Sequence, residues 1–197
     1  MLRYAAALLF AALLLDATAA AAASHIRGQV TMLTGAVATV ATTDGATVEL
    51  TLEPDFGLVV YRPIALEDLQ PDDYLSIPSI RAPGGRKQAI TIGVFPPALH
   101  GVGEGESPWD RGPDSRMTNA AFATLAARGP DHTIVVRYKG TEETIEVPEN
   151  TPILAFAPDP GRKLAVGDKA FFFATETDGK LTARRAGVMA DGSMPPM

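Results

Sequence analysis

Residues Leu164–Val188, LAVGDKAFFFATETDGKLTARRAGV, decide how the chain is read. A Leu-x-x-Gly-Asp turn leads into an apolar strand over Lys169–Ala174. The dipeptide Asp178-Gly179 then reverses the chain into a second strand over Lys180–Val188. Residues Leu69–Val94, LQPDDYLSIPSIRAPGGRKQAITIGV, use the same grammar, with a turn at Gln70–Asp73, a strand over Tyr74–Ile77, a turn at Pro83-Gly84-Gly85 and a strand over Gln88–Val94. Leu69 matches Leu164 and Asp73 matches Asp168 at an offset of 95, and Gly85 matches Gly179, Ala89 matches Ala183 and Gly93-Val94 matches Gly187-Val188 at 94. One deletion accounts for the change of offset, and a tandem duplication accounts for the rest.

Upstream of each stretch the pattern has period two. Val37, Thr39 and Ala41 alternate before Asp44-Gly45, and Val48, Leu50 and Leu52 alternate after it. Ile134, Val136 and Tyr138 lead in the same way to Lys139-Gly140 and on through Thr144–Val147, with Gly140 again 95 residues beyond Gly45. A small closed β unit is the natural home for such hairpins, because closure leaves no unpaired edge. The chain is therefore expected to be all-β. It divides into two tandem small OB-like barrels, residues 24–94 and 119–190, joined by a Gly/Pro-rich linker, residues 95–118, and followed by a tail, residues 191–197. Asn119–Arg128 is alanine-rich and fits a short helix capped by Thr118, or the first strand of the second copy, with Phe122 and Leu125 where Val30 and Leu33 stand in the first. The register favours the strand.

The Leu164–Asp168 turn, the strand after it and the hairpin through Val188 resemble exported bacterial domains of unknown function with small OB-like barrels, over roughly Thr133–Val188 and more loosely in the first copy. Gly103-Glu104-Gly105-Glu106, Pro108-Trp109-Asp110, Met117-Thr118-Asn119-Ala120 and the closing Pro195-Pro196-Met197 resemble an uncharacterised exported proteobacterial family. The resemblance implies fold and compartment and carries no chemistry to transfer.

Export is also what the N-terminus predicts. Arg3 precedes an apolar run, Ala5–Leu15, and small residues follow from Ala17 to Ala23, so residues 1–23 read as a signal peptide cut near Ala23. A retained membrane anchor is the alternative, but Asp16 leaves the apolar run short of the roughly 20 residues a spanning helix needs. About 174 residues would then remain, with no second apolar stretch, enough for one ordinary domain or two small ones. The absence of cysteine excludes disulfides, zinc-thiolate sites and thiol catalysis. A net charge of −6, with cations that run to short pairs such as Arg86-Lys87 and Arg184-Arg185 and never to a stripe, argues against nucleic acid.

Candidate chemistry concentrates in the linker. Trp109, the single tryptophan, with Asp110 and Arg111, is a candidate ligand-binding loop, since an exposed indole stacks on rings. A single Trp flanked by proline is more often a packed anchor, here tying the linker to both copies. His100, Glu104, Glu106 and Asp110 are candidate metal ligands, because glycines between them let a loop converge on one ion. The alternative is a solvated connection. Met117, Met189, Met194 and Met197 with the three histidines suggest copper, although Met-Pro-Pro-Met reads more simply as an extended surface tail. Ser107, Ser115 and Ser193 lie in no nucleophile elbow and no phosphate loop precedes a helix, so no enzyme and no cofactor are expected. The expected role is an exported non-catalytic binding or accessory protein of the cell envelope, with an envelope protein or small ligand as partner. The alternative is a periplasmic metal-binding protein.

Overall fold

Strand three of the first copy is one uninterrupted run of 17 residues, β3, Thr47–Pro63, and its length sets the architecture. The computed structural model describes residues 22–128 and 131–197; most of the expected signal segment lies outside the described residues. The described strands are β1 (Ala22–Thr34), β2 (Val37–Thr42), β3, β4 (Tyr74–Arg81), β5 (Lys87–Ala89), β6 (Ile92–Val94), β7 (Gly105–Pro108), β8 (Arg116–Arg128), β9 (Asp131–Tyr138), β10 (Thr141–Val147), β11 (Ile153–Pro158), β12 (Lys169–Thr177) and β13 (Lys180–Met189). Two short 3-10 turns, Leu66–Asp68 and Pro97–Leu99, are the only helical elements among the described residues. None is long and apolar enough to cross a membrane.

The all-β barrel expectation holds. Strands β12-β1-β2-β3-β13 form a closed five-stranded circuit, shut by the parallel pairing of β13 with β3. A second circuit runs β4-β8-β9-β10-β5, shut by a parallel bridge between Glu146 of β10 and Gln88 of β5, and by the antiparallel β4–β5 pair. Both follow one order: three antiparallel strands, then a last strand parallel to the third, as in an OB-like barrel.

The two halves do not close on themselves, however. Barrel one takes β1–β3 from the first half and β12–β13 from the second, whereas barrel two takes β8–β10 from the second and β4–β5 from the first. The stretches 24–94 and 119–190 thus share both barrels instead of owning one each. The reason is the length of β3. Its start pairs with β2 in barrel one, while Val59–Pro63 pairs with β11, so the chain has crossed to the other barrel before β4 begins. Exchange of equivalent strands costs little, because every pair lost within a half is remade between halves.

At the crossing the two copies meet as symmetric partners. In the antiparallel β3–β11 ladder Tyr61 faces Phe156, 95 residues away, and the same offset turns the pair Val59–Pro158 into the pair Pro63–Leu154. This self-complementary register is what a duplicated unit produces at a two-fold contact. Local details repeat as well. The Asp73 carboxylate accepts the Gln70 amide at 2.8 Å, and Asp168 accepts the Ala165 amide at 2.8 Å. One residue earlier the backbone is left-handed in both, at Asp72 (φ 69°) and Gly167 (φ 95°). The Asn119–Arg128 segment is strand, as its register indicated, and its bulge between Phe122 and Thr124 matches the bulge between Val30 and Met32 in β1.

Alternation along the strands builds three cores. Val40, Leu50, Phe172 and Val188 fill barrel one, and Leu75, Ile77, Ile134 and Ile145 fill barrel two. Tyr61, Leu154, Phe156, Phe171, Met189 and Met197 pack in the seam between them. The tail is part of that seam. Met197 is only 2% exposed, and the Pro196 carbonyl accepts the Thr91 hydroxyl at 3.1 Å, so Met-Pro-Pro-Met is tucked in and not spread on the surface.

Candidate functional site

The triplet Phe171-Phe172-Phe173 explains where the linker sits. On a strand the middle ring points into barrel one and its two neighbours point out. Those outward rings lie opposite Arg27 and His25 on β1, which are their register partners. The linker folds over them. Its hairpin, β7 against the start of β8, ends in a loop fastened by the Trp109 amide donating to the Ser115 carbonyl at 3.1 Å. The buried Ser115 hydroxyl accepts the Arg111 amide (3.0 Å) and lies 2.8 Å from the Trp109 carbonyl and 2.7 Å from that of Gly112.

That loop delivers Trp109 onto the His25 imidazole, with ring centres 4.3 Å apart, and toward Phe171 at 6.1 Å. Asp110 beside it takes a two-pronged contact from Arg27 (2.6 and 2.9 Å) and lies 3.5 Å from His25 Nδ1. Arg27 itself rests over the Phe171 ring at 4.7 Å and donates through Nε to the Met197 carbonyl at 2.6 Å. Trp109 is thus a half-buried anchor on barrel one. Arg111 is exposed and joins the loop through its amide.

The other end of the linker is fastened to barrel two by charge. Lys87 of β5, 6% exposed, is paired with Glu106 of β7 and, at 2.5 Å, with Glu143 of β10. Arg116 adds a contact to Glu106 at 3.6 Å, and the Tyr138 hydroxyl donates to Glu143 at 3.1 Å. Burial, and then the charge of Glu143, push the Tyr138 phenol up to about 12, which keeps it a donor.

The four candidate metal ligands are not brought together. His100 packs on the Tyr74 ring (4.8 Å), Glu104 accepts the Lys139 amide (2.7 Å), Glu106 is taken by Lys87, and Asp110 by Arg27. Among the described residues no group of three or more His, Asp or Glu could hold an ion. The carboxylates of this loop are fasteners. Nothing in the Gly-Glu-Gly-Glu spacing revealed this, because their partners lie far away in sequence.

Between the two fastened ends lies a cavity of about 240 Å³. Val59, Tyr61, Phe95, Trp109, Phe156, Phe173 and Met197 give it an apolar, ring-rich wall, and Ser76, Asn119 and Arg185 supply polar groups. The symmetric pair Tyr61–Phe156 forms its floor, with ring centres 4.7 Å apart, and Phe95 meets Phe156 edge-on at 5.5 Å. Burial holds the Tyr61 hydroxyl well above its ordinary range, so it remains protonated. Two residues of the wall carry buried polar atoms with no hydrogen-bond partner among the described residues, Trp109 Nε1 and Asn119 Oδ1. Arg185 is exposed and makes no ion pair among the described residues. Of these residues the sequence singled out Trp109 as a ligand-binding residue and Met197 only as a copper candidate. Tyr61 and Phe156 were findable, since they stand 95 residues apart and each lies over a glycine of the repeat, Gly187 and Gly93.

The anchor has a pH dependence. Burial, and secondarily Arg27, lower the His25 pKa against the opposing pull of Asp110. A lowered folded value means the unfolded chain binds the proton more readily. The stability that neutral His25 supports is complete above about pH 6.5 and declines as pH falls through that value toward the folded pKa. Melting temperatures between pH 7.5 and 5 should fall, and His25→Phe, which keeps the stack, should flatten that part of the curve. An unchanged slope would remove His25 from the account. For Asp110, burial opposes ionisation but the Arg27 contact outweighs it and holds the carboxyl below its usual value. Its contribution is present above about pH 3.9 and is lost only as pH falls toward the lowered folded value.

Comparison with family models, with curated proteins and with solved structures finds no match, so the functional reading rests on the geometry of the seam.

Proposed function

We propose that this chain is an exported, non-catalytic binding or accessory protein of the cell envelope that holds a small, mainly apolar, ring-bearing ligand in the seam between its barrels. The observation that carries the reading is the cavity of about 240 Å³ walled by Tyr61, Phe95, Trp109, Phe156 and Phe173. A pocket that is mostly apolar with a few placed polar groups is the usual form of a small-molecule site. Aromatic walls favour a planar ring through offset and edge contacts. Arg185 at the rim suits an anionic substituent on that ring, through a charge-assisted hydrogen bond. The two fastenings of the linker support a binding role over a passive connection, because they hold one wall of the cavity in place before any ligand arrives. Such preorganisation lowers the cost of binding.

The test uses the single tryptophan, whose ring is part of the wall. Titration with anilinonaphthalene sulfonate and with a panel of aromatic carboxylates should give a saturable change in Trp109 emission. Arg185→Glu should weaken binding of the anionic members, and Leu99→Phe, which enlarges another residue of the lining and narrows the cavity, should weaken all of them. A flat titration across the panel, or curves that both variants leave unchanged, would remove the proposal.

A further inference from the structure

The internal duplication supplies a comparison inside one molecule. In barrel two the segment Ile64–Leu69, IALEDL, which connects β3 to β4, packs two leucines into the end of the core, beside a cavity of about 530 Å³ lined by Ile64, Leu66, Glu67, Val147 and Ile153. Leu66 (9% exposed) and Leu69 (7% exposed) belong to that barrel's core, and Ile64 packs against it. The 3-10 turn Leu66–Asp68 is fixed by Asp68, whose carboxylate accepts the Ala65 amide at 2.9 Å. The plug is thus a leucine-bearing acidic peptide segment.

Barrel one lacks this plug. The matching connection, from β11 to β12, reads Pro158-Asp159-Pro160-Gly161-Arg162-Lys163-Leu164, so Pro160-Gly161 stand where the leucine should be. At the offset of 95 the acidic pair Glu67-Asp68 is replaced by the basic pair Arg162-Lys163. Leu164, the counterpart of the buried Leu69, is only half-buried. What remains is a cavity of about 610 Å³ lined by Leu33, Leu52, Phe56, Leu58 and Leu164, with Arg162 and Lys163 on its rim. Asp159, the acidic residue of that rim, is already used by the amides of Gly161 and Arg162, both at 3.1 Å. Arg162 is braced by Asp168 at 2.5 Å, and Lys163 has no ion pair among the described residues.

Two large apolar side chains are exposed beside this mouth. Met32 is 51% exposed and Val166 is 61% exposed, on two segments tied together by the Gly167 amide donating to the Val30 carbonyl at 2.8 Å. Their counterparts at barrel two are Thr124 and Pro71. Barrel two therefore covers the core at its end with the leucines of its own connection, whereas barrel one leaves Leu33 and Leu164 lining its mouth, with Met32 and Val166 exposed beside it and a basic rim.

We propose that the open end of barrel one is a docking site for a partner protein, which inserts a leucine flanked by acidic residues in the manner that Ile64–Leu69 packs its leucines into barrel two. The charge reversal commits the site to an acidic segment, since a partner's Glu or Asp would meet Arg162 and Lys163 where the internal plug carries its own carboxylates. A second copy of the chain is not the donor, because its own Leu66 and Leu69 are buried in barrel two. This site is separate from the seam cavity, and the two readings stand or fall independently.

The probe is a blocked synthetic peptide of residues 63–70, PIALEDLQ, titrated at millimolar concentration into isotope-labelled protein. Amide shifts should concentrate at Leu33, Leu52, Leu164 and Val166, and should vanish with a peptide carrying Asp in place of its first leucine. Lys163→Glu should weaken binding about tenfold or more, as reversal of a rim charge does against an acidic partner. Gly161→Leu should occupy the mouth internally and abolish binding; the site tolerates it, since a Cβ there meets only the Asp159 carboxylate at 3.4 Å. Absence of shifts with this peptide would overturn the proposal, as would shifts that survive either variant. Saturation of the same residues by decanoate but not by the peptide would also overturn it, in favour of a lipid site.

Discussion

Gly187→Ala is expected to destabilise the fold by about 3 kcal/mol, the upper end of what overpacking a filled core costs. A Cβ at Gly187 would fall inside the Tyr61 ring, which is itself only 2% exposed. The ring must leave its place over β13 and its contact with Phe156, so a seam element is lost with a single methyl group. Gly93→Ala should act in the same way, because its Cβ would fall inside the Phe156 ring. In each case the glycine belongs to one half of the chain and the ring to the other. Urea denaturation of Gly187→Ala, Tyr61→Ala and the double variant should therefore show strong coupling, with the glycine substitution costing little once the ring is gone. Additive losses would place Tyr61 elsewhere than over Gly187.

The second large effect is electrostatic. Converting Glu106 and Glu143 together to glutamine should cost about 3–5 kcal/mol, the range for leaving a buried charge without its partners. The asymmetry of exposure sets the sign of the comparison. Lys87 is only 6% exposed, whereas Glu106 and Glu143, at 27% and 22%, can turn more readily toward water. Lys87→Met, which removes the trapped charge and keeps the volume, should therefore be milder than the double glutamine variant. Thermal melts of the two proteins decide it, and the reverse order would mean that the lysine is solvated in solution. The double variant should also loosen the linker at barrel two while leaving the Arg27–Asp110 contact on barrel one in place.

Much of the local structure was legible because turn chemistry is local. Lys139-Gly140 and Asp178-Gly179 both have left-handed backbone at both positions, as two-residue hairpin turns require. The placement of Phe122 at the Val30 position was legible too, since a bulge falls at the same point in both strands. The strand exchange was not legible. Alternation along Lys180–Met189 states which residues face a core, and it is satisfied equally by β3 of the first half or β10 of the second. What decides is the uninterrupted length of β3, against the break between β10 and β11 at Pro148–Pro152. The site was half legible for a similar reason. Trp109 announced itself as the lone indole, but its neighbours His25 and Phe171 are brought to it by pairing between distant strands. The carboxylates of the linker looked like ligands because loop composition carries no information about Arg27 and Lys87. The mouth of barrel one lay in the repeat all along, in the replacement of Leu66-Glu67-Asp68 by Gly161-Arg162-Lys163, but it acquires meaning only once the barrels are closed.

The seam exists because strands are exchanged between the halves, and disulfide mapping in this cysteine-free chain tests that exchange directly. Thr51 of β3 is the register partner of Thr182 of β13, so their Cα atoms lie about 4.8 Å apart, the usual distance between neighbouring strands and within disulfide reach. If each half closed its own barrel, the partner of Thr51 would instead be Gln88, which stands at the position of Thr182 in the first copy. Oxidation of Thr51→Cys/Thr182→Cys should yield a near-quantitative intramolecular disulfide in the folded protein, and Thr51→Cys/Gln88→Cys should remain reduced. Cross-linking of the second pair and not the first would contradict the exchange, and with it the seam on which the proposed site is built.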